Sequence, residues 1–219
     1  MKVIRRFPEN ILGLALLFWG AFFAHGALAQ GSQGTVQVRG LMGSASYSLA
    51  GGAPLALTPG MVVPIGAVVR TTAGAAVDLA FSHKGGVVRL LQSSTLFLDK
   101  FSATDATAGA VVEVQIYLME GTMVGFDKKL SNPSKFQLKA AHEIVDMNGS
   151  KYRLDAQGFL VLLEGNALLV FVPPSGEPFP FSMKAPPPAY FSPVQGIRPA
   201  PTELVREVVL QTKGQLRGK

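Results

Sequence analysis

From Thr35 to Val172 apolar residues alternate with polar or small ones over short runs, and glycine punctuates the runs. Ala75, Val77, Leu79 and Phe81 fall at period two, with Asp78 and Ala80 between them. Glu113, Gln115 and Tyr117 alternate with Val114, Ile116 and Leu118. The same spacing recurs at Thr95 to Asp99, at Phe136 to Leu138 and at Phe159 to Leu163, then on through Asn166 to Val172. Period two places alternate side chains on opposite faces of a strand, so the pattern predicts β structure throughout. Val87 to Leu91 is apolar on both sides, as in a strand covered on both faces. Gly51-Gly52, Gly85-Gly86 and Asn148-Gly149 predict tight turns, because these residues accept positive φ. Asn132-Pro133 marks another turn, and Ser102 to Gly109 predicts a loop dividing the region in two. Leu79, Phe81, Leu90, Leu96, Leu118, Phe136, Leu154 and Val161 are the predicted core. Leu118-Met119-Glu120-Gly121 recurs 44 residues later as Leu162-Leu163-Glu164-Gly165. This faint echo suits a stacked or coiled β architecture at least as well as a sandwich.

The pattern changes on either side of this region. Between Pro173 and Pro201, 10 of 29 residues are proline. Proline lacks a donor and fixes φ, so the segment is expected to be extended and excluded from helices and central strands. Phe179, Phe181, Tyr190 and Phe191 lie among these prolines and are expected to pack back onto the core, since large apolar side chains favour burial; the alternative is that they stay exposed as partner contacts. Thr202 to Lys213 predicts a short helix, capped by Thr202, with Leu204, Val205 and Val208 on one face and Gly214 at its end. Gln215 to Lys219 is expected to fray.

At the other end, Met1 to Ala29 has the three parts of a secretory signal peptide. Lys2, Arg5 and Arg6 precede the uncharged run Ile11 to Phe23, and Ala27-Leu28-Ala29 has the form a signal peptidase accepts. The expected cut falls after Ala29, and the expected location is the periplasm or the exterior. The alternative is an inner-membrane anchor, since Ile11 to Ala29 is nearly long enough to span a bilayer. Residues 30–34 read as a linker, 35–172 as the β domain, 173–201 as the proline-rich segment and 202–219 as helix and tail.

Charge and candidate chemistry narrow the functional classes. Net charge is +6 for the whole chain; without Lys2, Arg5, Arg6 and Glu9 it is 17 basic against 13 acidic residues. No basic run concentrates this excess, so nucleic acid is not expected as a partner. The chain has no cysteine, which removes disulfides, thiolate metal sites and cysteine nucleophiles. His142-Glu143 opens like a zinc-protease motif, but Asp146 stands where the second histidine is needed. His83 sits in an expected hairpin turn. No Gly-x-Ser-x-Gly elbow, Walker loop or dinucleotide fingerprint exists. Ser150 and Lys151, adjacent on a strand, point to opposite faces. Asp78, Asp99, Glu113, Glu120, Asp146, Asp155 and Glu164 are spread singly. No cofactor and no metal are expected.

The glycine-and-strand pattern resembles a FecR domain, a periplasmic β module. The first half is carried by Gly34 to Val38, Leu55 and Leu57, Pro59-Gly60, Gly66 to Thr71, Ala75 to Phe81, Gly86 to Leu90 and Ser94 to Leu98. The second half is carried by Leu118 to Val124, Phe136 to Ala140, Ile144 to Leu154 and Val161 to Val170. The resemblance implies an all-β, compact stacked or coiled sheet, β-solenoid-like or a sandwich, with the proline-rich strap and short helix added. It also implies a sensing or binding module without catalytic residues; the ten residues before the apolar leader are too few for an anti-sigma segment. The expected function is a non-enzymatic secreted envelope protein binding a protein or a cell-surface polymer such as a polysaccharide. The alternative is an envelope hydrolase whose carboxylate pair assembles in space. Self-association through exposed strand edges is a further expectation.

Overall fold

In a computed structural model of the protein, the described residues are 32–83, 85–104 and 111–213. The leader with its cleavage site, Lys84, most of the expected 102–109 loop, Gly214 and the terminal tail lie outside them. The described chain is all-β: one curled, mixed sheet followed by a short C-terminal helix. No helix among the described residues is long and apolar enough to cross a membrane.

The strands follow one another closely. First come β1 (Ser32–Gln33), β2 (Val36–Met42), β3 (Ala45–Ser48), β4 (Leu55–Ala56) and β5 (Val62–Val63). Next are β6 (Val68–Thr71), β7 (Ala76–Phe81), β8 (Gly86–Leu90), β9 (Thr95–Thr104) and β10 (Val111–Glu120). Then follow β11 (Thr122–Phe126), β12 (Lys135–Ala140), β13 (Glu143–Asp155) and β14 (Leu160–Phe171). The proline-rich segment supplies β15 (Phe179–Ala185), β16 (Ala189–Ser192) and β17 (Gly196–Pro199), and α1 spans Thr202–Lys213.

Hydrogen bonding arranges these strands in two rows. One row runs β5–β2–β7–β8–β11, then the end of β13, the start of β14, β16 and β17. The other runs β4–β3–β6–β9–β10–β12, then the start of β13, the end of β14 and β15. The pairing of β10 with β12 is parallel, because β11 lies between them in sequence but belongs to the other row. Inward residues of the two rows form one core, in which the Phe81 ring meets Phe101 and Phe136 at 5.6 and 5.7 Å. All eight residues predicted for the core are buried.

The chain crosses between rows at tight corners. Four of these stack through backbone and hydroxyl groups. The Thr72 N–H donates to the Ser44 carbonyl, the Ser93 N–H to the Thr72 carbonyl, and the Thr122 N–H to Ser94 Oγ. Gly121 and Gly165, the echoed glycines, both have positive φ and both mark crossings, but Gly165 lies within β14 and is not a turn.

Several expectations need correction. Asn148-Gly149 is not a hairpin turn; it is a bulge inside β13, which shifts register between Asn148 and Lys151. A bulge glycine needs the same positive φ as a turn glycine, so sequence alone does not separate them. The buried Asp127 carboxylate replaces the missing ladder partners, accepting the Gly149 N–H at 2.7 Å and the Ser150 N–H at 3.0 Å. Ser102 to Thr104 belong to β9, where the small Ala103 alternates inward after Phe101. Ser32 and Gln33 of the expected linker pair with Ser102 and Ala103. Leu160 to Leu163 are all buried, because α1 covers the outward Val161 and Leu163 with Val208, Leu204 and Val205.

The proline-rich segment is extended, as expected, and β15 is an edge strand paired only with β14. Pro180 is tolerated there because an edge position leaves no central ladder bond broken. β16, however, is central, flanked by β14 and β17. Its four residues, Ala189 to Ser192, are free of proline; Pro186 to Pro188 and Pro193 stand outside them.

Tyr152 is fully buried, with its ring against Gly125 and its hydroxyl without a hydrogen-bond partner. Burial and the nearby Asp127 raise its pKa well above the usual phenol value. An unpaired buried hydroxyl costs about 1–3 kcal/mol. Tyr152→Phe is therefore expected to leave stability unchanged or raise it by about 1 kcal/mol in a urea titration. A loss exceeding that would show that the hydroxyl holds a partner.

Candidate functional site

The outward side of the first row carries a hollow of about 280 Å³, lined by Arg153, Asp155, Phe159, Val161, Tyr190 and Leu204. Register alone assembles it. Arg153 of β13 lies opposite Val161 of β14, and Val161 lies opposite Tyr190 of β16. α1 then brings Leu204 over Val161.

The turn from β13 to β14 shapes one wall. Asp155 Oδ1 accepts the N–H groups of Gln157 and Phe159, each at 3.0 Å, and the Asp155 carbonyl accepts the Gly158 N–H. Asp at the first position and Gly at the fourth is a favoured turn signature. Gly158 has φ +90°, which a residue with a Cβ rarely adopts. The turn sets the Phe159 ring parallel to Tyr190, with centroids 6.1 Å apart and planes 7° apart. Two parallel aromatic rings thus stand beside a carboxylate and a guanidinium.

The charges of the hollow balance. Arg153 Nη1 lies 3.4 Å from Glu207 Oε1 and is attracted to Asp155. Burial raises the Asp155 pKa, opposed by the Phe159 and Gln157 N–H groups and the Arg153 charge. Burial, then Asp155, raises the pKa of Tyr190, against a hydrogen bond with Ser192. At neutral pH the phenol therefore keeps its proton. An aromatic platform rimmed by balanced polar groups suits a ring with one apolar face and several hydroxyls, rather than an anion.

A larger groove, about 610 Å³, crosses the second row and is lined by Asn132, Ser134, Asp146, Asn148, Asn166 and Ser182 among others. It has no exposed aromatic ring, and some of its polar groups are engaged. Asp146 accepts from Gln137, and Asn148 accepts the Leu130 N–H.

The four aromatic residues singled out in the strap separate. Tyr190 lines the hollow. Phe191 is buried against Phe171 and Phe181, and Phe181 is half-buried. Phe179, at the start of β15, is 53% exposed. Of the residues completing the hollow, Leu204 was read on the helix face, Asp155 as a lone carboxylate, and Arg153, Phe159 and Val161 only within strand-like runs; the Asp155–Gly158 turn signature is the local signal that marks the site.

Other candidate groups do not converge. Ser150 Oγ donates to the Asn166 carbonyl, while Lys151 pairs with Glu164. His83 is exposed beside Ser82 Oγ, and His142 is exposed. Among the described residues no three His, Asp or Glu side chains are grouped to hold a metal ion. Glu143 and Asp155 repel one another, but Asp155 lines the aromatic hollow and Glu143 does not. Compared with known proteins, the chain matches no family model, no curated protein and no solved structure.

Proposed function

We propose that this is a non-enzymatic secreted protein of the cell envelope, FecR-like in its β domain, that binds a cell-surface glycan. The observation that carries the reading is the parallel Phe159–Tyr190 pair beside Arg153 and Asp155. The apolar face of a sugar ring stacks on such rings, and its hydroxyls pair with carboxylate and guanidinium groups. The leader pattern supports delivery to the surface where such polymers occur.

The test is binding of chitotetraose, cellotetraose and maltotetraose by calorimetry, and co-sedimentation with peptidoglycan sacculi. At least one is expected to bind. Tyr190→Ala is expected to weaken that binding about tenfold, corresponding to one stacking contact, while far-ultraviolet circular dichroism stays unchanged. Absence of binding across the set, or equal binding by the variant, would overturn the reading. Capture of an envelope protein through the Tyr190 surface would replace it with a protein-binding one.

A further inference from the structure

Glu143 is the least explained polar group of the molecule. It opens β13 on the inward face, beside Val145, and is 2% exposed. Both carboxyl oxygens are buried without a hydrogen-bond partner. They press on Gly158 so closely that a Cβ there would fall about 2 Å from either oxygen. Because β13 changes rows at its bulge, the start of the strand faces its own end and the turn that follows. The Ala141 N–H donates to the Ala156 carbonyl across the same gap.

That turn is the wall of the aromatic hollow. Asp155 anchors it, and Phe159 ends it. Asp155 is the charged group that acts on Glu143. Lys139, on β12, pairs instead with Asp99, and His142 lies exposed. The turn residues Ala156, Gln157 and Gly158 carry no charge. Glu143 thus meets a like charge and an uncharged backbone; Lys139 and His142 line the same hollow of about 330 Å³ as Glu143, but neither is bonded to its carboxyl oxygens.

We infer that Glu143 is a proton-operated latch: protonated, it seats the Asp155–Phe159 turn; losing its proton to solvent, it repels Asp155 and loosens the wall of the binding hollow. The latch rests on the proposed glycan site for its consequence, but not for its mechanism. Burial and Asp155 also push the Glu143 carboxyl up to about 7, so the transition falls within the range an exposed compartment experiences. Gly158 is required at the contact, since any side chain would occupy the place of the carboxyl group. Neither oxygen has a hydrogen-bond partner, so nothing there offsets the cost of burying a charge, and the neutral carboxyl carries the smaller desolvation cost. The protonated form therefore fits its surroundings, and the ionised form does not.

The experiment is amide hydrogen exchange of Gln157, Gly158 and Phe159 between pH 6 and 8, corrected for intrinsic rates, in wild type and Glu143→Gln. The glutamine keeps the size of the protonated acid and cannot ionise. The wild-type turn is expected to open at least tenfold more often at pH 8 than at pH 6, while the variant stays flat. A parallel rise in both proteins would overturn the latch, as would a Glu143 carboxyl carbon shift titrating in the ordinary carboxylate range. Tetraose affinity is measured on the same samples. Exchange that follows pH without binding at any pH sinks the glycan site and leaves the latch standing. Binding that does not change between pH 6 and 8, together with flat exchange in wild type, sinks the latch and leaves the site.

Discussion

Gly165→Ala is expected to destabilise the protein by about 3–5 kcal/mol, from a strained backbone and an overpacked corner acting together. Gly165 has φ +88°, and a Cβ there would lie 2.2 Å from the Gly149 carbonyl oxygen and 2.7 Å from Ser150 Cα. These are backbone atoms of the facing bulge, so no side-chain rotation relieves the overlap. Gly60 supplies the control. Its φ is +89°, but nothing lies within 4 Å of the added Cβ. Gly60→Ala therefore reports the cost of φ alone, about 1 kcal/mol. Urea denaturation of both variants separates the two contributions. Equal midpoints would show that Gly165 does not press on the bulge of β13.

Stability is expected to fall as pH rises from 5 to 8. Burial raises the Asp127 pKa from 3.8 to about 6, although the backbone N–H groups of Ser150, Gly149 and Asp127 itself pull it down. Burial and Asp155 raise that of Glu143 from 4.5 to about 7. Both folded values exceed the ordinary ones, so the native state holds more protons than the unfolded chain through this window. The stability these groups contribute is complete below about pH 4 and disappears as pH passes through 6 and 7. Each shift corresponds to about 3 kcal/mol at most, since one pKa unit is about 1.4 kcal/mol. Glu143→Gln removes one share and is expected to raise the melting temperature at pH 8 relative to wild type, with little change at pH 5. Thermal melts across this range decide the matter. A wild-type midpoint that climbs from pH 5 to 8, or a variant that melts lower at pH 8, would contradict it.

Strand content was legible because period-two alternation records which face of each strand is buried. Ala75 to Phe81 and Glu113 to Leu118 both appear as read. α1 was legible from its apolar face, but Thr202, read as its cap, is its first helical residue, and the Pro201 carbonyl accepts the Val205 N–H instead. The corners were not, because a glycine at positive φ looks the same in a hairpin, a bulge or a row crossing; Asn148-Gly149 is the instance. Nor was the double burial at Leu160 to Leu163, whose outward half is covered by a helix about 40 residues further on. The hollow was legible only through Tyr190. Its partners Arg153, Asp155 and Phe159 come from another hairpin, and the register that joins them to β16 leaves no mark on local periodicity. The FecR resemblance implied an all-β chain, but it covered Arg153 and Val161 only as strand residues and gave them no role.

The position of α1 gives the molecule an order of completion. Arg89, bonded to Asp78 at 2.6 and 2.7 Å, also reaches the Gln211 carbonyl, and Val208 seals Val161 and Leu163. The segment that shields this apolar outer stripe is thus the last part of the described chain to be synthesised. A chain still emerging, or one clipped before Thr202, presents the stripe to whatever surrounds it. Chaperones and proteases that read exposed aliphatic surface can therefore distinguish a chain with α1 docked from one without it.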